Sequence, residues 1–241
     1  MAALLEVVNV FKSFTGLRAV DDVTFSMPQG EIFAVIGPNG AGKTTLFNLI
    51  AGTMAPDDGR ISFDGARIDG LPPDEVCRRG IGRTFQLVRP FPGLSVEDNV
   101  VVGALLRRPD VTSAMRHAHE VLWRLDLFDK RAQPAGSLTL PDRKRLEVAR
   151  ALATEPKLLL LDEVMAGLRP TETDRMVEIL RKLNSESGLT ILLIEHVMRA
   201  VMSVATRVLV LHHGAAIAEG PPEAVVREPA VVQSYLGAEA V

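Results

Sequence analysis

A glycine-rich segment, residues 37–45, has the residue types and spacing needed to bind phosphate groups. Glycines allow backbone angles that let successive N–H groups turn inward around phosphate oxygens. A lysine at its seventh position can reach the β- and γ-phosphates of a nucleotide, and the next hydroxyl can ligate Mg²⁺. The apolar run before the segment and the helical pattern after it favour a phosphate-binding P-loop over an ordinary glycine turn. The residues of this candidate site are Gly37, Pro38, Asn39, Gly40, Ala41, Gly42, Lys43, Thr44 and Thr45, and Thr44 is the candidate metal ligand.

Four further polar residues each come directly after an apolar, strand-like run: Gln86, Asp162, Glu163 and His196. In parallel α/β sheets, ligands bind beyond the carboxyl ends of the strands, so these side chains are expected near the P-loop. Asp162 is predicted to hold Mg²⁺ directly or through water, and Glu163 to orient the attacking water or accept its proton. Gln86 is predicted to bind Mg²⁺ or that water, and His196 to contact the γ-phosphate. Each alone could be a solvent-facing strand end or a structural residue, but their common placement favours a catalytic site.

The elements around these residues predict an α/β fold. Strand-like runs at 4–11 and 19–27 and a hairpin at 59–68 indicate an N-terminal antiparallel β subdomain. Strands then alternate with helices, which predicts a P-loop NTPase core with a mainly parallel sheet. A helical block interrupts this pattern and is interpreted as an inserted helical subdomain at approximately 87–155. We therefore expect one domain over residues 1–241.

Helical spacing within the inserted block predicts that Met115, His119, Leu122 and Leu125 include core positions. Trp123 is expected to pack in the same block. His117 and His119 lack metal-ligand spacing and are interpreted as surface or packing residues.

Composition limits the possible function classes. The 241 residues are 47% hydrophobic, which suffices for a large core, and the net charge is −3. Without a long basic run, nucleic acid is not expected to be the main partner. The single cysteine, Cys77, cannot form an internal disulfide. No run of about 18 apolar residues is present, and the N-terminus does not have the pattern of a secretory signal. Any membrane association is therefore expected to come through a partner.

The order of motifs along nearly the whole chain resembles that of an ATP-binding cassette (ABC) ATPase. These motifs are the P-loop, Gln86, the helical insertion, a motif at 138–142, Asp162-Glu163 and His196. The resemblance implies that the chain binds ATP and Mg²⁺ and hydrolyses ATP. It also implies that Phe14 stacks on adenine; Phe11 is the rival for that role, and core packing is the alternative for both. Finer matches resemble the ATP-binding subunit of branched-chain amino-acid importers, at residues 80–86, 146–152, 193–198, 217–221 and 235–237.

This resemblance also implies partners. Two ATP-binding subunits, identical or different, would sandwich two ATP molecules, and separate transmembrane permease subunits would be driven by them. A solute-binding protein would act indirectly, and the chain would lie peripherally at the cytoplasmic face of the cell membrane. Two alternatives stay open: a regulatory ABC subunit with low turnover, and a soluble ABC ATPase outside transport.

The signature loop of the family departs from its usual Leu-Ser-Gly-Gly-Gln pattern at residues 138–142. Thr139 keeps a hydroxyl that the resemblance places toward the partner subunit's nucleotide. Pro141 lacks an N–H donor, and Asp142 adds a negative charge where the family presents a neutral amide. The local alternative is that proline and aspartate simply make a good helix start. The contribution of this loop to a partner's site is therefore an open question at this point.

The stretch after Gln86, residues 87–94, contains two prolines and is predicted to form a surface loop. Exposed Phe91 and Leu94 would suit a groove for a short helix of a permease subunit. The alternative is that Phe91 packs into the core of the helical block.

Overall fold

The computed structural model describes residues 3–85 and 90–236, which form ten strands, nine α-helices and two short 3-10 helices at Phe128–Lys130 and Ala135–Ser137. The strands are β1 Ala3–Phe14, β2 Leu17–Pro28, β3 Ile32–Ile36, β4 Asp58–Phe63, β5 Ala66–Arg67, β6 Ile81–Arg83, β7 Leu158–Asp162, β8 Thr190–Ile194, β9 Arg207–His212 and β10 Ala215–Gly220. The helices are α1 Lys43–Ile50, α2 Pro73–Arg79, α3 Val96–Ala104, α4 Val111–Arg124, α5 Leu140–Leu152, α6 Pro170–Ser187, α7 Met198–Val204, α8 Pro222–Val225 and α9 Pro229–Leu236.

Two sheets organise the chain. The first has four strands in the order β2-β1-β4-β5, and every pairing in it is antiparallel. The second has six strands in the order β10-β9-β3-β8-β7-β6. Its five strands β9, β3, β8, β7 and β6 run parallel, and β10 pairs antiparallel with β9 at the edge. The predicted N-terminal antiparallel sheet and mainly parallel core sheet are thus confirmed.

The parallel sheet is covered on both faces because its strands are apolar throughout. Every residue of β3 is buried. Since side chains alternate along a strand, Ile32, Ala34 and Ile36 belong to the core formed with α3–α7. Phe33 and Val35 belong to the other core, shared with α1 and the antiparallel sheet. A continuous apolar strand therefore indicates a sheet buried on both faces.

Three helix boundaries follow from local residue chemistry. Helix α3 begins after Ser95, whose hydroxyl accepts a hydrogen bond from the Asp98 N–H at 3.0 Å, as the capping pattern predicts. Helix α6 ends at Gly188, whose φ of 64° is the left-handed conformation typical of a helix end. Helix α5 is capped by Thr139 and carries Pro141 in its first turn.

Helices α3, α4 and α5 lie between β6 and β7 in the chain and pack against one another. Leu122 and Leu125 are buried, as predicted. Met115 is exposed. Trp123 packs within the block, where it stacks on Phe128 with ring centroids 4.5 Å apart, but it is 62% exposed and lies off the buried stripe of α4. That stripe consists of Ala114, Ala118, Val121 and Leu122, and Leu125 directly after the helix continues it.

No helix among the described residues is long and apolar enough to cross a membrane.

Candidate functional site

The P-loop connects the end of β3 to the first turn of α1. Gly37 and Gly42 have φ values of 146° and 102°, and both approach other strands closely. A Cβ on Gly37 would lie 2.1 Å from the carbonyl oxygen of Leu211, and one on Gly42 would lie 2.1 Å from that of Ala19. Only glycine fits there, so β9 and β2 hold the loop from two sides. No side chain caps α1, so the N–H groups of its first turn face the loop. This end of α1 is suited to bind an anion.

Lys43 lies inside this loop. Its Nζ donates hydrogen bonds to the carbonyls of Gly37 at 2.8 Å and Pro38 at 2.9 Å. Burial lowers the pKa of Lys43 below its usual value, and the carboxylates of Glu163 and Asp162 oppose that shift. The ammonium is therefore close to the carboxylates that the sequence places in the same site.

The strand order explains why these groups meet. β3, β8, β7 and β6 are neighbours and run parallel, so their carboxyl ends lie at one edge of the sheet. The P-loop follows β3, His196 follows β8 and Asp162 ends β7. Gln86 follows β6 but lies outside the described residues. The predicted convergence of the P-loop, His196 and the Asp162-Glu163 pair is therefore present in the fold, and the role of Gln86 stays a prediction.

Asp162 is buried, and one of its carboxylate oxygens, Oδ1, has no hydrogen-bond partner within the described residues. Its Oδ2 lies 3.5 Å from the Arg83 guanidinium, and its N–H donates to the Thr84 hydroxyl at 3.0 Å. Burial raises the pKa of Asp162, and Arg83 opposes this. A buried carboxylate oxygen without a partner costs free energy unless a cation approaches it. Oxygen ligands are those that Mg²⁺ prefers, and the exposed Thr44 in the first turn of α1 offers another. These residues fit a Mg²⁺–nucleotide complex.

Glu163 follows directly and is held by its neighbours. Its Oε1 lies 2.7 Å from Nε2 of His196, and its N–H donates to the carbonyl of Ile194 at 3.0 Å. Its φ is 51°, a left-handed conformation that is uncommon outside glycine and is often found at functional sites. A carboxylate paired with an imidazole at the edge of a phosphate site can orient a water molecule and take up its proton. The contact of His196 with a γ-phosphate stays a prediction.

The two candidate adenine-stacking residues differ in exposure. Phe14 is 43% exposed, at the end of the β1–β2 hairpin, and the Lys12 ammonium lies 5.8 Å from its ring centroid. Phe11 is half-buried. Since Ala19 of β2 lies against Gly42, this hairpin flanks the P-loop. Phe14 thus presents a ring face that core packing does not use, which favours it over Phe11.

The signature loop has a local role that the sequence left open. The Thr139 hydroxyl donates to Oδ2 of Asp142 at 2.8 Å, and Asp142 is only 2% exposed. Lys130 and Arg145 each contact the Asp142 carboxylate at 2.5 Å. Burial disfavours this carboxylate, but the hydrogen bonds from Lys130, Thr139 and Arg145 outweigh it and hold the pKa of Asp142 below its usual range. Asp142 thus lies in a capped helix start, as the local alternative has it, and its charge is paired within the chain. The contribution of this loop to a partner's nucleotide stays a prediction.

Two buried charged residues at the site were missed by the sequence reasoning. Lys144 on α5 and Glu195 after β8 are both almost inaccessible to solvent. Glu195 precedes His196 and follows an apolar strand, which was the available signal; Lys144 stands among buried positions of α5. Burial raises the pKa of Glu195 to about 7. The hydrogen bond from the Met165 N–H and the charge of Lys144 oppose that rise.

We expect the free energy of unfolding of Glu195→Gln, measured relative to that of the parent chain, to be higher at pH 8 than at pH 5. An acid whose pKa rises from 4.5 to about 7 on folding binds more protons in the folded state, so stability falls as pH increases through that window. Glutamine does not titrate and removes this loss. Relative to the parent chain, the variant should gain at most about 3 kcal/mol between pH 5 and pH 8, since one pKa unit corresponds to ~1.4 kcal/mol. Urea unfolding of both proteins at the two pH values measures this, and an equal stability difference at both would contradict it.

Comparisons with known proteins agree with this site. The family model described as ABC transporter matches residues 20–166, and that of the branched-chain amino acid ATP-binding cassette transporter matches residues 217–241. The chain is 39% identical to the high-affinity branched-chain amino acid transport ATP-binding protein BraF of Pseudomonas aeruginosa, over 97% of this chain and 98% of BraF. It is 38% identical to LivG of Escherichia coli, a protein of the same description, over the same shares.

Solved structures agree. The ADP conformation of MJ1267, an ATP-binding cassette of an ABC transporter, has a TM-score of 0.89 and 31% identity, covering 98% of this chain and 100% of that one. A dimeric post-hydrolysis state of the cassette MJ0796, bound to ADP and Pi, has a TM-score of 0.82 and 25% identity, covering 90% and 98%. The site geometry, the family model that spans most of the chain and the near full-length relatives agree: this chain belongs to the ABC transporter family and carries its ATP-binding cassette.

Proposed function

We propose that this chain is the ATP-hydrolysing subunit of an importer for branched-chain amino acids, and that it drives transport through separate transmembrane permease subunits. The observation that carries the catalytic part is the unpartnered buried oxygen of Asp162 beside the Glu163–His196 pair, at the sheet edge that also holds the P-loop. The solute class comes from the relatives, which are described as branched-chain amino-acid transport proteins. The chain would lie peripherally at the cytoplasmic face of the membrane, and a solute-binding protein would act indirectly.

In this proposal, each group of residues at the site has its own role in ATP binding or hydrolysis. The P-loop amides and the start of α1 bind the phosphates, and the Lys43 ammonium neutralises their charge. Thr44, Asp162 and Gln86 would hold Mg²⁺, which would neutralise negative charge on the phosphate oxygens and so favour attack by water on the γ-phosphate. Glu163 orients that water and accepts its proton, and His196 holds the Glu163 carboxylate in place. Phe14 stacks on the adenine.

A second ATP-binding subunit completes the proposal. The start of α5, with Thr139, would face the nucleotide of the partner subunit in a homodimer or heterodimer. The dimeric cassette MJ0796 supports two-fold assembly in this family. Residues 87–155 would form the helical lobe that carries α5 and responds to nucleotide.

One observation favours a second candidate function, a regulatory subunit with low turnover. Pro141 stands in the first turn of α5 and has no N–H to offer a phosphate. A turnover assay separates the two functions. The importer proposal expects ATP hydrolysis that increases when permease subunits and solute-binding protein are present in proteoliposomes, together with ATP-dependent uptake of leucine, isoleucine or valine. Tight ATP binding with almost no turnover under both conditions would support the regulatory function.

The geometry at Phe91 supports a docking surface for a permease. The Phe91 main chain is held on both sides by the buried Asn99: its N–H donates to Oδ1 at 2.8 Å, and its carbonyl accepts from Nδ2 at 3.0 Å. Its ring is nevertheless 43% exposed, and the Arg150 guanidinium lies 4.9 Å from the ring centroid. Leu94 nearby is also exposed. Phe91 therefore packs partly against α5 and is partly exposed, and the hydrogen bonds of its main chain hold it at the surface.

We expect Phe91→Asp to abolish co-purification with permease subunits and solute uptake, because a charge cannot enter an apolar groove without losing its hydration. The isolated variant should fold and hydrolyse ATP, since Asn99 bonds only the main chain of residue 91. Val111→Asp, which also replaces an exposed apolar residue by aspartate but on α4, is the control and should keep both co-purification and uptake. If Phe91→Asp is stable and still supports uptake, Phe91 is not part of the docking surface.

A further inference from the structure

Two buried charged side chains have no role in the mechanism above. Lys144 and Glu195 come from α5 and from the end of β8, and they lie beside the segment that carries Asp162 and Glu163. Burying a charged side chain costs free energy unless it is paired and hydrogen-bonded, so stability alone does not account for them. Their hydrogen bonds show a different use: each bonds a main-chain group of the catalytic turn and not the other side chain.

Lys144 bonds the residue that carries the catalytic carboxylate. Its Nζ donates to the main-chain carbonyl of Glu163 at 2.8 Å. Burial lowers the pKa of Lys144, and the charges of Glu195, Glu163 and Asp162 oppose this, in that order. The ammonium is thus surrounded by acidic groups, and its hydrogen bond is directed at the backbone of one of them.

Glu195 bonds the same turn from the opposite end. Its Oε1 accepts a hydrogen bond from the N–H of Met165 at 2.8 Å. Its Oε2 is buried and has no hydrogen-bond partner within the described part of the chain. Two side chains from distant parts of the sequence therefore hold the two ends of residues 163–165.

This turn needs such support. The φ of 51° at Glu163 is a left-handed conformation, which is sterically unfavourable for a residue with a Cβ. Strained main chain of this kind persists only where the surroundings over-determine it. If the turn relaxed, the Cα–Cβ bond of Glu163 would change direction, and its carboxylate would leave the position where His196 meets it.

We propose that Lys144 and Glu195 are positioning residues for ATP hydrolysis: they clamp the main chain of residues 163–165 and thereby fix the Glu163 carboxylate in its catalytic orientation. This rests on the proposed function of Glu163. Lys144 lies on α5, the helix that Thr139 caps, so the clamp also links the signature helix to the catalytic carboxylate of the same chain. A displacement of α5 would then change the orientation of Glu163.

The test compares paired variants of the purified full chain. Lys144→Met keeps the length of the apolar stem but has no donor, and Lys144→Arg keeps a donor. Glu195→Leu removes the acceptor, and Glu195→Gln keeps it. We expect Lys144→Met and Glu195→Leu each to lower kcat about 100-fold, because a small displacement of a catalytic group has an effect of this size. The KM for ATP should stay within about twofold, because the P-loop is unchanged. Arg at 144 and Gln at 195 should recover most of kcat.

A second readout does not depend on catalysis. Hydrogen–deuterium exchange at the Met165 amide should be faster in Glu195→Leu than in the parent chain and unchanged in Glu195→Gln. If Glu163→Gln proved fully active, the function proposed for Glu163 would fail, and the exchange data would still report on the clamp. Unchanged exchange in Glu195→Leu would overturn the clamp itself.

A double variant distinguishes a loss of positioning from a loss of folding. Lys144→Met alone removes the positive charge that favours the buried Glu195 carboxylate, so it destabilises the fold. Lys144→Met combined with Glu195→Gln removes both charges and keeps the acceptor for Met165, so it should fold. Its kcat should still be low, because the hydrogen bond from Lys144 to the Glu163 carbonyl is missing. A folded double variant with the kcat of the parent chain would refute positioning by Lys144.

Discussion

Glu163→Gln should lower the kcat of ATP hydrolysis about 10³-fold, within the range that general-base catalysis contributes, and leave the affinity for ATP within about twofold. Glutamine has the size and shape of glutamate, and its amide oxygen can still meet Nε2 of His196, which lies 2.7 Å from Oε1 in the parent chain. What it loses is the ability to accept the proton of the attacking water. Binding should persist because the groups that hold the phosphates belong to the P-loop.

Steady-state phosphate release and binding of a fluorescent ATP analogue give the two quantities. The slow variant should also prolong an ATP-bound dimer, detectable by sedimentation. Glu178→Gln, the same change at an exposed glutamate of α6, is the matched control and should behave as the parent chain. If purified Glu163→Gln hydrolyses ATP as fast as the parent chain, Glu163 is not the general base.

Lys43→Ala is the second change with a large expected effect. It should weaken ATP binding at least about tenfold, since hydrogen bonds to charged groups contribute ~1.5–3 kcal/mol each, and abolish measurable hydrolysis. The variant also deprives the carbonyls of Gly37 and Pro38 of their 2.8 and 2.9 Å partner, so part of the loss comes from a less ordered loop.

Lys43→Met separates the loss of the ammonium from the loss of the buried stem. Methionine keeps most of the buried stem of lysine but supplies neither charge nor donor. If Met and Ala are equally defective and both keep the circular dichroism of the parent chain, the ammonium is responsible and not the packing of the stem. Nucleotide affinity and turnover equal to those of the parent chain in both variants would contradict the P-loop assignment.

The sequence by itself determined the features that depend on neighbouring residues. The P-loop could be predicted because strand, glycines and helix start are contiguous, and the backbone angles that cradle a phosphate are local properties. The apolar runs of β3 and β7 likewise predicted a buried parallel sheet, and the Asp162-Glu163 pair was predicted at its carboxyl edge. The strand order that makes β3, β8, β7 and β6 neighbours confirms that placement.

Tertiary structure alone decided which polar groups meet across the chain. The pairing of the Asp142 charge could be read only in part from its own segment. Arg145 lies one helical turn away on α5, but Lys130, twelve residues earlier, reaches the carboxylate only in the folded chain. The stacking of Trp123 on Phe128, beyond the end of α4, likewise depends on how the chain folds back after the helix.

The catalytic turn shows the same division most clearly. The type and position of Glu163 could be read from the sequence, but not its orientation. Its left-handed backbone, the hydrogen bond from Lys144 nineteen residues away and the one at Met165 from Glu195 thirty residues away arise only when α5, β7 and β8 are packed together. A hydrogen bond depends on direction as well as distance, and the direction of a side chain is set by the packing of its element, which local sequence patterns do not encode.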